Sequence, residues 1–162
     1  NKMPEWKDWM KLFMSGLGAF VIGIVYAIPV LIVLMLTIGA GILTGGLSAL
    51  LSGSSAALMN AFTTVGIGLV FTAIVAVIMS LMTFAAMLRY AETGKFGSAF
   101  EMSTIIKKAF NGNFFAGWLI AMIYMLVAVG IMSFIPLLGP AIGLFVAGVA
   151  VYTYLAEIYK KV

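Results

Sequence analysis

The side chains able to move a proton are few, and their spacing leaves them without partners. Glu92, Glu101 and Glu157 flank long apolar segments, while Glu5 and Asp8 lie near the start. Carboxylate acid–base catalysis needs a tuned group within reach of a second one, and a nucleophile needs an adjacent base. The chain has no cysteine and no histidine, which excludes disulfides, imidazole chemistry and sites built from thiolate or imidazole ligands. The carboxylates do not recur at metal-ligand spacing. Twelve methionines offer thioethers that a soft copper ion would accept, yet they scatter through apolar runs, where filling packing gaps is the expected use. Neither a cofactor nor an enzyme activity is expected.

The elements that would position these residues are oily. Of the 162 residues 64% are hydrophobic and only 9% charged, against roughly 25% charged in soluble domains. Every charge falls in one of three blocks, Lys2–Lys11, Arg89–Lys108 and Glu157–Lys161. Between them run two uncharged stretches, Leu12–Leu88 and Ala109–Ala156. A spanning helix takes about 20 apolar residues, so each stretch accommodates two spans. The expected spans are 14–42, 61–89, 113–134 and 137–158. Ser133–Pro140, with Pro136, Gly139 and Pro140, supplies the second outer turn, and the Gly- and Ser-rich centre 44–60 the first. Two spans on either side of the middle block return all three charged blocks to one face, an extreme positive-inside pattern. A third span in the first stretch would destroy that asymmetry. The expectation is therefore an all-α membrane protein forming one domain in the cell membrane, with both termini and the 90–111 loop cytoplasmic. The net charge of +4 then reports topology, and no nucleic-acid partner is expected. A cleavable signal peptide is not expected either, because acidic residues interrupt the basic start and the apolar run after it is too long.

Two segments have the periodicity of surface helices. Over residues 4–17, Pro4 suits a first helical position. Trp6, Trp9, Met10, Phe13 and Leu17 then recur at spacings of three or four, with Lys7, Asp8 and Lys11 elsewhere. This suits a helix lying among lipid headgroups, or a docking surface for a partner. Gly94 is expected to end the second span. A second amphipathic helix starts near Ser98, with Phe100, Ile105, Ile106 and Phe110 on one side and Lys107 and Lys108 at its negative end. Each half of the chain thus runs surface helix, span, outer loop, span. Lys11, Phe13 and Ala19 match Lys108, Phe110 and Ala116 at one constant offset, which makes a parallel tandem repeat plausible.

Within the spans, small residues recur every four positions: Ala19, Gly23 and Ala27; Gly68, Thr72, Ala76 and Ser80; Gly139, Gly143 and Ala147. Lipid offers no hydrophobic drive for helices to associate, so such stripes are expected to pack helices by close approach. Pro29 removes one helical hydrogen bond and should kink the first span, either for packing or beside a binding site. No Asp, Glu, Lys, Arg or His lies between residues 12 and 88 or between 109 and 156. Proton relays and ion-coupled carriers place such groups at membrane depth. An ion pair between Arg89 and Glu157 is expected to tie the second and fourth spans together.

Pro4-Glu-Trp-Lys-Asp-Trp-Met-Lys-Leu-Phe13, with Gly16-Leu17 and Tyr26-Ala-Ile-Pro29, resembles the opening of the membrane family called domain of unknown function 4013. Arg89-Tyr-Ala-Glu-Thr-Gly-Lys-Phe-Gly-Ser-Ala-Phe-Glu101 resembles its middle signature, and Ile135-Pro-Leu-Leu-Gly139 with Tyr152-Thr-Tyr154 its end. The resemblance implies a multi-pass prokaryotic protein, largely archaeal, and carries no catalytic residue with it. Together these readings point to a structural or accessory membrane protein. Its expected partners are membrane lipid and either itself or other membrane subunits. The alternative is a channel or facilitator for a small neutral or hydrophobic solute.

Overall fold

The computed structural model describes residues 9–135 and 138–162. Every element in it is helical, and no strand occurs among the described residues. Helix α1 (Trp9–Gly41) passes through a π-helical turn (Ile42–Gly46) into α2 (Leu47–Ser52), and α3 follows over Ser55–Thr93. A 3₁₀ turn (Phe96–Phe100) leads to α4 (Met102–Ala109), α5 (Gly112–Met132) and α6 (Gly139–Lys161). Four helical stretches are long and apolar enough to cross a bilayer: Trp9–Ser52, Ser55–Thr93, Gly112–Met132 and Gly139–Lys161.

The first two stretches are longer than the expected spans, because the Gly- and Ser-rich centre 44–60 is almost wholly helical. Its hydroxyls explain why. Thr44 Oγ1 donates to the Gly41 carbonyl at 3.4 Å, Ser48 Oγ to Gly45 at 3.1 Å and Ser52 Oγ to Ser48 at 2.6 Å. Each hydroxyl is satisfied by its own helix and leaves the ladder intact. The break comes only at Gly53, which takes the left-handed conformation at φ 66° and donates its amide to Ala49 at 2.9 Å. Ser54 Oγ then accepts the Ala57 amide at 3.3 Å, as a helix-capping serine does.

The chain divides into two compact units, Asn1–Thr83 and Phe84–Val162, with the boundary inside α3; from sequence it reads as one domain. In the first unit, α1 and α3 meet through small residues. A Cβ on Gly41 would strike Val65, one on Gly45 would strike the Ala57 carbonyl, and one on Gly68 would lie 2.7 Å from Thr37 Oγ1. Hydroxyls bridge the same contact: Thr37 with Thr72 at 3.4 Å, and Thr44 with Thr64 at 3.1 Å. Such bonds are worth about 0.6 kcal/mol each in membrane helices. Pro29 lies inside α1 without ending it.

In the second unit, α5 and α6 form the main pair. The buried row on α6 repeats every four residues: Gly139, Gly143, Ala147, Val151, Leu155, Tyr159. Near the turn the glycines belong to α6, where Gly143 faces Met132 and Val129 of α5. At the other end the glycine belongs to α5, where Gly117 faces Ile158 and Tyr154. Small residues thus oppose large ones in both directions, which lets the backbones approach without voids. Pro140 stands in the first turn of α6, where a missing amide hydrogen costs nothing. Pro136 lies outside the described residues.

Candidate functional site

The charged end of the second unit gathers most of its polar chemistry. Helix α3 stops at Thr93 because Gly94 turns left-handed, φ 67°, and gives its amide to Tyr90 at 2.8 Å. The chain doubles back through the 3₁₀ turn. Thr93 Oγ1 donates to the Arg89 carbonyl at 3.0 Å and meets Ser98 Oγ at 2.5 Å, while Ser98 also reaches the Lys95 carbonyl at 2.6 Å. Ser98 is therefore buried in this turn, and the following helix begins at Met102, one turn later than its sequence suggests.

That reversal carries Glu101 back over the end of α3. Arg89 Nη2 donates to Glu101 Oε2 at 3.1 Å, and Nη1 to Glu92 Oε2 at 3.2 Å. The guanidinium side chain is 26% exposed. Arg89 accordingly does not pair with Glu157. Glu92 stands one turn away on the same helix and Glu101 is delivered by the Gly94 reversal, so both terminal guanidinium nitrogens are engaged. Glu157 is exposed on α6 with no ion pair among the described residues.

Beside this clamp, α4 ends against α6. Lys108 Nζ donates to the Tyr159 carbonyl at 3.2 Å and sits 3.8 Å from the centre of the Tyr159 ring. An ammonium at a helix C-terminus meets the negative end of the macrodipole and a carbonyl that lacks an intrahelical donor. Beneath it, Phe114 packs edge-on to Tyr159 with centroids 6.0 Å apart, and Phe115 stacks on Trp118 at 6.0 Å. Tyr159 is 2% and Trp118 4% exposed. The Tyr159 hydroxyl, Trp118 Nε1 and Arg89 Nε are buried with no hydrogen-bond partner among the described residues.

The other residues singled out from sequence are spread through the molecule. Trp6 lies outside the described residues; Trp9 and Phe13 are exposed on the first turns of α1. On that helix Ala19 and Gly23 are half-buried and Ala27 exposed, and the buried positions are Ile22, Tyr26, Thr37 and Gly41. Gly23, Ala27 and Ala76 line an open groove of about 240 Å³ with Tyr26, Ser80 and Thr83. Gly68 packs on Thr37, and Gly139, Gly143 and Ala147 are buried. Phe100 is half-buried beside Phe96, Lys107 is exposed and Lys108 half-buried. A second open groove, about 350 Å³, is lined by Ile120, Ala121, Tyr124, Ala150, Val151 and Tyr154. Among the described residues no group of three His, Cys, Asp or Glu could hold a metal ion.

Sequence reasoning passed over Tyr159, Trp118 and the Thr93–Ser98 pair. The signal for Tyr159 was present: the four-residue row beginning at Gly139 continues through Val151 and Leu155 to reach it. A search for small side chains stops at Ala147, whereas burial continues with larger ones. Nothing in the spacing marks Trp118 as buried, since α5 is apolar all round.

No curated protein and no solved structure matches the chain. The model of the family described as protein of unknown function (DUF4013) matches residues 1–137, including the opening and the Arg89–Glu101 signature that forms the clamp, and the chain belongs to that family.

Proposed function

We propose that the protein is a structural or accessory membrane subunit that packs with copies of itself or with other membrane chains. The observation that carries this reading is how little of the apolar surface the chain covers by itself. In the four apolar windows only 11%, 17%, 22% and 22% of residues are buried. Cβ atoms placed on Gly16, Gly39, Gly66, Gly130 and Gly148 would meet nothing within 4 Å. Those glycines are flat places where a neighbouring helix could approach closely. The absence of Asp, Glu, Lys, Arg and His from the two long apolar stretches argues against coupled transport. Native mass spectrometry of the protein released from lipid nanodiscs tests the reading: defined oligomers or a defined companion are expected. A lone monomer at every concentration would overturn it.

In this reading the four helices cross the cell membrane with both termini and the 90–111 loop cytoplasmic. The first turns of α1, with Trp9 and Phe13 exposed, and the α4 region, with Phe100 beside it, lie at headgroup depth. A tandem duplication belongs to the same reading, on the constant offset that matches Lys11, Phe13 and Ala19 with Lys108, Phe110 and Ala116. The chain has no cysteine, so a single cysteine placed at position 95 reports topology cleanly. It is expected to react only from the cytoplasmic side, and labelling from outside intact cells would refute the orientation. A second reading, a channel or facilitator for a small neutral or hydrophobic solute, draws on the groove lined by Tyr26, Val30, Ser80 and Thr83. A vesicle flux assay showing no excess over protein-free vesicles removes it for each solute tried.

A further inference from the structure

Two dilysine pairs far apart in sequence, Lys107-Lys108 and Lys160-Lys161, occupy the last turns of α4 and α6. The structure brings them together: Lys108 reaches the Tyr159 carbonyl, the residue just before Lys160, at 3.2 Å. The four ammonium groups are not equivalent. Lys108 is held in place by that carbonyl and by the Tyr159 ring 3.8 Å away. Lys107, Lys160 and Lys161 are exposed and form no ion pair among the described residues. The nearby carboxylates offer little neutralisation, since Glu92 and Glu101 are both bound to Arg89, and only Glu157 stands one turn from Lys161 on α6.

The same corner carries exposed apolar side chains. Ile106 and Phe110 are 46% and 54% exposed, and Phe115, near the start of the apolar helix α5, is 41% exposed. Cations at the end of an oily helix, with large apolar groups beside them, match a molecule carrying phosphate at one end and hydrocarbon at the other. From this juxtaposition we infer that the Lys107/Lys108/Lys160/Lys161 junction is a binding site for the headgroup of an anionic phospholipid, with preference for one bearing two phosphates. Three exposed ammonium groups on the two helix ends that the Lys108–Tyr159 contact joins can engage more than a single phosphate charge. Lysine binds phosphate as a compact point charge on a flexible stem, so the site selects charge and not headgroup shape. Ile106 and Phe110 would lie along the acyl chains. The inference rests on the membrane reading above, which puts this end of the helices at headgroup depth.

The test uses the full-length protein in a neutral detergent, titrated with phosphatidylcholine, a singly charged phospholipid or a two-phosphate phospholipid, and read by native mass spectrometry. The two-phosphate lipid is expected to be retained at least tenfold more than phosphatidylcholine, with the singly charged lipid between them. A surface lysine near anionic lipid is worth about fivefold in binding. The K107Q/K160Q/K161Q variant, which spares Lys108, should therefore lose at least tenfold, while K95Q keeps its preference. All three replaced side chains are exposed, and an unchanged helical spectrum and melting profile confirm the fold. Equal retention by the triple variant, or an equal loss in K95Q, overturns the site. Displacement of the lipid by millimolar inorganic phosphate overturns the lipid assignment. Extraction of the protein from vesicles by alkaline carbonate would overturn the membrane reading itself, whereas failure of the lysine site alone leaves insertion intact.

Discussion

Gly143 is where the contact between α5 and α6 is most open to measurement. An alanine Cβ there would lie 2.8 Å from Met132 Cβ, 3.1 Å from Met132 Cγ and 3.5 Å from Val129 Cα. Carbon atoms rest at about 3.5–4.0 Å, so the first contact is short by roughly 1 Å. The opposing atoms are rooted at the α5 backbone, and rotation of a side-chain tip does not relieve them. The helices must part, and overpacking of this kind costs about 1–3 kcal/mol. Alanine also returns about 0.8–1 kcal/mol of helix propensity over glycine. Gly148, slightly more than one turn on in the same helix, meets nothing within 4 Å and so takes the propensity gain without the clash. Subtracting G148A from G143A cancels propensity and isolates packing, with an expected difference of about 2 kcal/mol, or a roughly thirtyfold change in the folding equilibrium. Unfolding by dodecyl sulfate in mixed micelles, followed by tryptophan fluorescence, has the needed resolution because Trp118 is buried in this helix pair. Equal stabilities for the two variants would refute the close approach of α5 to α6.

Three further perturbations probe the rest of the molecule. Thr37→Val removes the hydroxyl bridging to Thr72 at 3.4 Å and should cost about 0.6 kcal/mol in the same unfolding assay; a stabilised variant would show that the bridge contributes nothing. Lys108→Gln deletes the contact with the Tyr159 ring and its carbonyl and should cost about 1 kcal/mol. Faster amide exchange at 158–161 is the readout, and unchanged exchange would contradict the capping role. Arg89→Gln frees Glu92 and Glu101 together, so proteolysis and amide exchange across 94–101 should rise. Glu101→Gln should reproduce more of that loosening than Glu92→Gln, because Glu101, unlike Glu92, ties the returning loop to α3.

Much of the architecture is legible in the chain itself. The two uncharged stretches are long enough for two helices each, and four of the described helical stretches are long and apolar enough to cross a bilayer. This holds because a bilayer leaves backbone groups only their own helix as partner, so length and apolarity decide the fold almost alone. The left-handed cap at Gly94 and the first-turn place of Pro140 also follow from local backbone preference. The opening and middle signatures place the chain in its family, as the matched residues 1–137 bear out.

Tertiary structure decided the rest, wherever two segments compete for one partner. Sequence could offer Arg89 a distant carboxylate on the fourth span, but the Gly94 reversal brings Glu101 within 3.1 Å first. The stretch 44–60 looks like a loop by composition, since its Gly and Ser residues favour turns in isolation. In the fold its glycines let α1 and α3 touch and its serines bond their own helix, so it stays helical. The α1 stripe Ala19-Gly23-Ala27 is visible by size, yet the buried face lies one residue earlier at Ile22 and Tyr26. In helices that are apolar all round, no polar face reports which side is covered. Only the packed neighbour chooses the buried face, and only the fold brings Lys108 to Tyr159.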